Sequence, residues 1–506
     1  MKRLHSLLTG TLLSSAMFTG ALATSVMSHS AVAAQGATPT LKLDSCFVAG
    51  VTKQLQCGTL AVPENWQAPS DKTLDLNVIV ANAVSQSPKS DPLFLLMGGP
   101  GQASSELVAG LLKIFRSVRE DRDLVFIDQR GTGKSSALVC DEEDGDIYEV
   151  LSSDFNADDV KKCIASFDVD LSQYNTNNAI LDFDAVREAL GYQQINLYGI
   201  SYGSRAAMVY MREKPAALRS VILDGVVPPQ VVVGPMGIEA ERAFDIMIEQ
   251  CSQSEACAKQ FPNFLGDYQK IRAQLEQAPI KTMIDHPVTD KPIALNIDSK
   301  KFINQIRNMF YSVGMRELVP YVVSEFSKGN YKPFVGMMSQ SEDSTGGMYV
   351  GLTFNILCNE DIPRASRDLL AKDSANRFSG AHTFEVFSSI CEHWPTFDAP
   401  ENFGDKVTSN IPTMLLSGEL DPVTPPAWGS LAAEGLSNSK HYIAKNAGHG
   451  LITQSCAANM ISEYLENLNF DDVNSACLDK QPLPGFLLNN NSNMAVPAKD
   501  SVKEAK

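Results

Sequence analysis

The chain has 506 residues, with 42 Lys or Arg against 59 Asp or Glu, so its formal net charge at pH 7 is −17. A hydrophobic content of 44% excludes a chain that is disordered throughout. The acidic balance argues against a surface for nucleic acid or anionic membranes, because both need clustered cations. The length exceeds the roughly 250–300 residues at which one hydrophobic core stops growing, so we expect more than one module.

The first 34 residues have the pattern of a secretory signal peptide. Lys2 and Arg3 precede an apolar stretch at residues 7–23, and small residues at 31–34 offer a cleavage site. A membrane anchor is the alternative, but Gly, Thr and Ser interrupt the stretch, which is shorter than the ~20 apolar residues of a span. No later segment is long and apolar enough to span a bilayer. We therefore predict an exported protein, periplasmic or secreted.

All ten cysteines follow the predicted signal peptide. An even number of cysteines outside the cytosol predicts disulfides. Each cysteine has a neighbour in the sequence, and this predicts the pairs Cys46–Cys57, Cys140–Cys163, Cys251–Cys257, Cys358–Cys391 and Cys456–Cys477. A zinc site is the alternative, but the chain contains neither a CxxC pair nor HExxH, so no metal is expected.

The first half of the chain reads as an α/β sheet. Residues 74–80 alternate as a half-buried strand should, and residues 92–97 and 124–127 are short apolar runs that end in Gly-containing turns. Residues 195–198 and 220–223 repeat the pattern around helical segments. Short apolar runs that each end in such a turn and precede a helix indicate buried parallel strands.

The periodicity of the sequence changes after the strand pattern at residues 220–223. Residues 230–410 are mostly helical in periodicity, and strand patterns return at 412–416 and 441–444. We interpret residues 35–229 and 411–480 as two parts of one sheet domain, with residues 230–410 inserted as a helical cap. The alternative is that the insertion belongs to the layers of the main sheet. Residues 481–506 are rich in Asn, Pro and Lys and are expected to form a flexible tail.

The nucleophile candidate is Ser201, in the sequence GISYG at residues 199–203. G-x-S-x-G is a weak motif alone, but here it follows a strand and opens a helix. Glycines on both sides let the strand and the helix approach closely, so the serine hydroxyl projects from a tight turn. A serine in an ordinary glycine turn is the alternative.

The base and the acid should follow the serine in the chain, because a serine hydroxyl needs an adjacent base that a carboxylate orients. His449 lies in a Gly-flanked loop after the strand at 441–444, and a surface histidine is the alternative. Asp421 directly follows the strand at 412–416 and is the favoured acid. Asp224, which closes an earlier strand, is the rival, and its alternative role is to cap a turn. Glu419 is a poorer candidate.

The tetrahedral intermediate needs two backbone donors for its oxyanion. The N–H of Tyr202, the residue after the nucleophile, should be one, and that of Gly99, in the GGPG turn at residues 98–101, the other. A plain structural turn is the alternative for GGPG. The sequence GTGKS at 131–135 is similar to a phosphate-binding loop, but Asp128 stands where that motif needs its first Gly.

Together, MGGPG at 97–101, DQRGTGKS at 128–135, GISYG at 199–203, GELDP at 418–422 and GH at 448–449 resemble the proline iminopeptidase family of α/β-hydrolases, most closely its secreted tripeptidyl-aminopeptidase-like branch. The resemblance spans roughly residues 45–480. One departure is Met97, where many members have His; this position shapes the oxyanion turn and does not supply the base.

The resemblance implies an α/β-hydrolase fold with a cap and serine-dependent cleavage near peptide N-termini, without a cofactor. Members hold the free α-amine with carboxylates of the cap, and Glu360 and Asp361 are the candidates here; an acidic surface turn is the alternative. A carboxylesterase of the same fold, acting on small hydrophobic esters, is the second hypothesis. A binding protein without catalysis is the third, disfavoured because all three triad candidates are present. The sequence leaves the oligomeric state open.

Overall fold

The structure is a computed structural model that describes residues 41–140, 156–286, 289–337, 347–482, 485–491 and 494–495. The predicted signal peptide at residues 1–34 lies outside these ranges. Within them, no helix is both long enough and apolar enough to cross a membrane.

Thirteen strands are described, and nine of them form one sheet. The strands are β1 (Asp44–Cys46), β2 (Leu55–Pro63), β3 (Thr73–Ala81), β4 (Leu93–Leu96), β5 (Leu124–Ile127), β6 (Ile195–Ile200), β7 (Leu218–Asp224), β8 (Ile280–Asp285), β9 (Pro292–Ile297), β10 (Thr413–Gly418), β11 (Ser439–Ala444), β12 (Phe486–Leu487) and β13 (Met494–Ala495).

The large sheet has the order β1-β2-β3-β5-β4-β6-β7-β10-β11. Its six strands from β5 to β11 run parallel to one another, and β1, β2 and β3 extend it through antiparallel pairs. The carboxyl ends of the parallel strands share one edge, which is where α/β sheets place their sites. This is the predicted α/β-hydrolase fold.

The central strands are apolar along their whole length because both faces of the sheet are covered. In β4, Phe94 and Leu96 belong to one buried cluster, while Leu93 and Leu95 belong to another on the opposite face. Helices of the first part supply much of that cover. They are α1 (Val108–Ile114), α2 (Arg116–Arg119), α3 (Ala157–Ser166), α4 (Thr176–Ala189) and α5 (Tyr202–Glu213).

Among the described residues between β7 and β10, none forms a strand of the large sheet, although these two strands are direct neighbours. This segment contains the β8–β9 hairpin, which the mostly helical periodicity did not predict, and a set of helices. They are α6 (Gly237–Gln253), α7 (Glu255–Gln260), α8 (Phe264–Gln277), α9 (Ser299–Met309), α10 (Val313–Arg316), α11 (Val319–Ser327), α12 (Val350–Ile356), α13 (Arg367–Ser374) and α14 (His382–Cys391). We call residues 225–412 the cap.

The cap has a hydrophobic cluster of its own, separate from the two clusters that cover the sheet. Aromatic rings dominate it, and Tyr268 and Phe378 stack with centroids 5.6 Å apart. In the part of the chain that the structure describes after the cap, the α-helices are α15 (Pro426–Ala433), α16 (Leu451–Gln454) and α17 (Ala457–Asn467).

Part of the segment expected to be a flexible tail packs against the cap. Phe486 is buried in the cap cluster, and Leu487 N donates a hydrogen bond to Glu317 O at 3.1 Å. The side chain of Glu317 accepts a second bond, from Gly485 N at 3.0 Å. This part of the tail is therefore held by apolar burial, a signal that the Asn- and Pro-rich composition conceals.

Five disulfides join the ten cysteines, and all five predicted pairs are confirmed. Each closes a loop of 6 to 33 residues. The spacing predicted these bonds correctly because each cysteine pairs with a neighbouring cysteine in the sequence.

Candidate active site

Ser201 occupies the turn between β6 and α5 at the carboxyl edge of the sheet. Its backbone angles, φ 57° and ψ −125°, lie in a region that side chains other than glycine rarely adopt, at a cost of about 1–3 kcal/mol. A Cβ atom on Gly199 would collide with the backbone of Gly203, and one on Gly203 with Leu96 O. The two flanking glycines therefore permit the close strand–helix contact that exposes the serine.

His449 is hydrogen-bonded to Asp421, with 2.8 Å between Nδ1 and Oδ2. Asp421 follows β10 and is fully buried, and His449 follows β11. Burial raises the pKa of Asp421, but the charge of His449 and the bonds from His449 and Thr424 outweigh it and lower that pKa. Burial lowers the pKa of His449, and the charge of Asp421 and the bond to it reverse this and raise it. Each partner thus stabilises the charged form of the other.

The turn after β7 contacts both the serine and the histidine. Ser201 N donates to Asp224 O at 2.8 Å, and a Cβ atom on Gly225 would lie 3.1 Å from Cε1 of His449. The sequence-predicted nucleophile and base are therefore brought to the two sides of one turn.

The carboxylate of Asp224, the rival acid, is directed elsewhere. It accepts the N–H of Leu451 at 2.8 Å, the N–H of Ile452 at 3.2 Å and the hydroxyl of Tyr198 at 3.0 Å. These bonds fix the start of α16, just after His449. Asp224 thus ties the histidine loop to the sheet, and Asp421 is the carboxylate that contacts the His449 ring.

Thr424 is a site residue that the sequence reasoning missed. Its hydroxyl donates to Asp421 Oδ2 at 2.5 Å and lies 3.0 Å from Nδ1 of His449. The backbone N–H groups of Val423 and Thr424 donate to the other oxygen of Asp421 at 2.9 and 2.8 Å. An Asp followed three residues later by Thr is the available signal, because short polar side chains cap such turns.

Tyr311 of the cap covers the histidine and was also missed. Its ring meets that of His449 edge to face at 5.2 Å, and its carbonyl accepts His449 N–H at 3.0 Å. The residue lies between α9 and α10, far from the triad in the chain, so no local pattern marks it.

The GGPG turn lies beside the nucleophile. A Cβ atom on Gly98 would be 3.0 Å from Cβ of Ser201, and Gly99 follows with a positive φ of 106°. Gly98 donates its N–H to the side chain of Gln102 at 3.2 Å. Tyr202 is the first residue of α5, so its N–H has no acceptor within the helix. Both predicted oxyanion donors are therefore close to the serine.

The GTGKS stretch and the residues just before it have a structural role beside the sheet. The Asp128 carboxylate accepts the N–H of Lys134 at 3.1 Å and the N–H and hydroxyl of Ser105 at 2.8 Å each. Arg130 is fully buried and binds Asp182 through two nitrogens at 2.6 Å each. The carboxylate fills the turn from inside, where a phosphate-binding loop would keep its N–H groups open to the ligand.

Glu360 and Asp361 end a π-helical turn, Leu357–Asp361, and both are buried, with 1% and 0% of their surface exposed. Arg205 of α5 binds both oxygens of Asp361 at 2.9 and 2.7 Å. Glu360 accepts the N–H of Thr176 at 2.7 Å and its hydroxyl at 2.6 Å. Asp361 therefore faces α5, the helix after Ser201, and Glu360 faces the start of α4; the pair is not an acidic surface turn.

The chain is similar to several known proteins. A family model described as TAP-like protein matches residues 376–477. This part of the chain is therefore similar to TAP-like proteins. The serine protease Hip1 of Mycobacterium tuberculosis is 24% identical over 454 residues, which cover 81% of this chain and 84% of that protein. The tripeptidyl aminopeptidase of Streptomyces lividans is 26% identical over 198 residues, 35% of this chain and 36% of that one.

Among solved structures, the proline iminopeptidase of Mycobacterium smegmatis matches this chain with a TM-score of 0.35 and 14% identity. That match covers 82% of this chain and 95% of the other.

Proposed function

We propose that the protein is an exported serine aminopeptidase that cleaves peptide bonds near the free N-termini of short peptides. The observation that carries the proposal is the 2.8 Å bond between His449 and the buried Asp421, across one turn from the strained Ser201. A histidine with a raised pKa, beside a serine at a helix start, is the arrangement that acyl transfer needs.

In the proposed reaction, Ser201 Oγ attacks the scissile carbonyl while Nε2 of His449 takes its proton. Asp421 accepts a hydrogen bond from Nδ1–H of His449, which leaves Nε2 free as the base, and stabilises the imidazolium. The N–H groups of Tyr202 and Gly99 hold the oxyanion. His449 then protonates the leaving amine, and a water activated by the same histidine hydrolyses the acyl-enzyme. No metal or cofactor takes part in these steps.

Peptides are the proposed substrates because the relatives are named as serine protease, tripeptidyl aminopeptidase and proline iminopeptidase. A net charge of −17 also favours ligands with a positive N-terminus. The amine-binding role predicted for Glu360 and Asp361 stays a prediction, and the bonds that these carboxylates already make bear on it below.

Export is supported by the five disulfides, because such bonds persist in oxidising compartments and are rare in the cytosol. Fractionation of the native host, with detection in periplasm and medium, tests this part of the proposal. Full retention in the cytosol would contradict it.

The catalytic proposal is tested with Ser201→Ala. The variant should lose labelling by a fluorophosphonate probe and lose turnover of aminoacyl, dipeptidyl and tripeptidyl arylamides, because the nucleophile is gone. Wild-type enzyme should prefer free over N-acetylated arylamides. Undiminished turnover in Ser201→Ala would refute the triad, and turnover of simple esters alone would favour the carboxylesterase.

A further inference from the structure

A buried chain of hydrogen bonds connects the cap to the nucleophile turn. Gln129 Nε2 donates to the hydroxyl of Tyr202 at 3.3 Å, and that hydroxyl lies 2.7 Å from the hydroxyl of Thr176. Thr176 reaches Glu360 through its hydroxyl at 2.6 Å and its N–H at 2.7 Å. The chain thus joins the DQRG motif, α4, the residue after the nucleophile and the π-helical turn of the cap.

The donor and the acceptor of each of these hydrogen bonds follow from counting the protons of the hydroxyl groups. The hydroxyl of Thr176 has one proton and gives it to Glu360. The 2.7 Å contact with Tyr202 must therefore use the phenol as donor and Thr176 as acceptor. The phenol then accepts from Gln129, whose amide nitrogen can only donate. While Glu360 is ionised, every hydroxyl in this series of hydrogen bonds has a single defined orientation, and the carboxylate sets it.

Charged groups around Glu360 hold the π-helical turn at this end of the hydrogen-bond series. Burial raises the pKa of Glu360 to about 7, with the bonds from Thr176 opposing the rise and the adjacent Asp361 adding to it. Asp361 is paired with Arg205, one turn after the nucleophile on α5, and accepts a longer bond from Arg364 at 3.3 Å. The ion pair Arg205–Asp361 therefore anchors the π-helical turn to the nucleophile helix itself.

We infer that Glu360 is a positioning residue of the oxyanion hole, acting through Thr176 on Tyr202. The inference rests on the proposed function, because Tyr202 N–H is the proposed oxyanion donor. A donor is effective only when its position is fixed before the charge develops. The phenol of Tyr202 is held from both sides, and these bonds restrict the movement of the residue whose N–H is the proposed donor.

This role competes with the predicted role in binding the substrate amine. Each oxygen of Glu360 already accepts a short bond, and the residue is only 1% exposed. Arg205 neutralises Asp361. An ammonium group would have to displace these partners, whereas positioning uses them as they stand.

Glu360→Gln is the direct test. If its amide nitrogen faces Thr176, the Thr176 proton turns to Tyr202, and the phenol proton loses its acceptor. We expect kcat to fall about tenfold with KM changed less than twofold, both on a free-amine arylamide and on a p-nitrophenyl ester, because both pass through the oxyanion. The matched control is Glu317→Gln, a partly buried cap glutamate that binds Gly485 N, which should keep wild-type kcat on both.

The two roles of Glu360 give opposite results. An amine ligand would raise KM for the free-amine arylamide only, erase the preference over its N-acetylated form and leave the ester unaffected, and that outcome would overturn our inference. Wild-type turnover of the arylamide decides the proposed function separately, because the effect of Glu360→Gln on the ester is measurable even if peptides are not substrates.

A second pair of variants covers the case in which Glu360→Gln does not fold. Thr176→Val removes the central hydroxyl and should lower kcat about tenfold, and Thr176→Ser should recover most of that loss. Equal losses in both would contradict the inference. In a double-mutant cycle, Tyr202→Phe and Glu360→Gln should be non-additive, since either change breaks the same chain; additive effects would show that the two residues act independently.

Discussion

The carboxylates of the sheet edge and those of the cap are held in different ways. Asp421 and Asp224 accept N–H groups from loops at that edge, so each orders a turn of the sheet domain. Glu360 and Asp361 of the cap bind Thr176 and Arg205, which belong to the sheet domain. The sheet-edge carboxylates therefore shape the catalytic loops, whereas the cap carboxylates join two distant parts of the chain.

Asp421→Asn gives the largest expected effect on this comparison. The amide cannot stabilise an imidazolium, so kcat/KM should fall about 10⁴-fold while the melting temperature changes little. The rival Asp224→Asn should do the reverse, lowering the free energy of unfolding by about 1–3 kcal/mol through a lost buried acceptor. Arylamide kinetics and thermal unfolding of both variants check this, and a larger kinetic loss in Asp224→Asn would reverse our assignment of the acid.

Thr424→Val extends the comparison to a neutral partner of Asp421. The hydroxyl bond to a buried carboxylate is worth about 1.5–3 kcal/mol, so kcat/KM should fall roughly 10- to 100-fold. Thr424→Ser, which keeps the hydroxyl, is the control. The same loss in both variants would point to packing of the methyl group instead.

The largest effect of pH on turnover is expected from the triad histidine. The pKa of His449 is raised above its ordinary value of 6.5, and only the neutral imidazole can accept the serine proton. On the acid side, kcat/KM should therefore fall about tenfold per pH unit, with a midpoint above 6.5. A midpoint below 6.5 would mean that Asp421 does not stabilise the charged ring.

Phe486→Ala should have the smallest effect on turnover. Removing this buried ring from the cap cluster should destabilise the protein by about 3–5 kcal/mol, because it leaves a cavity. kcat/KM below the melting temperature should stay within about twofold, since the triad lies on the sheet. Unchanged thermal stability would mean that the segment does not hold the cap.

Local sequence patterns were sufficient to predict those features that depend on residues close to one another in the chain. The parallel strands, and the positions of Ser201 and His449 at their carboxyl edge, were predictable because the carboxyl ends of parallel strands share one edge of the sheet. The five disulfides were predictable for a similar reason, since each closes a short loop. Phe486 and the β8–β9 hairpin were not, because composition and helical periodicity masked them.

The sequence by itself determined the fold class and supplied candidate residues for the nucleophile, the acid and the base. Only the tertiary structure decided between Asp421 and Asp224, because both close a strand and only folding shows which carboxylate faces the histidine ring. It likewise decided the partners of Glu360 and Asp361. Thr176 lies 184 residues from Glu360 and Arg205 lies 156 residues from Asp361, and no spacing rule predicts contacts over such separations.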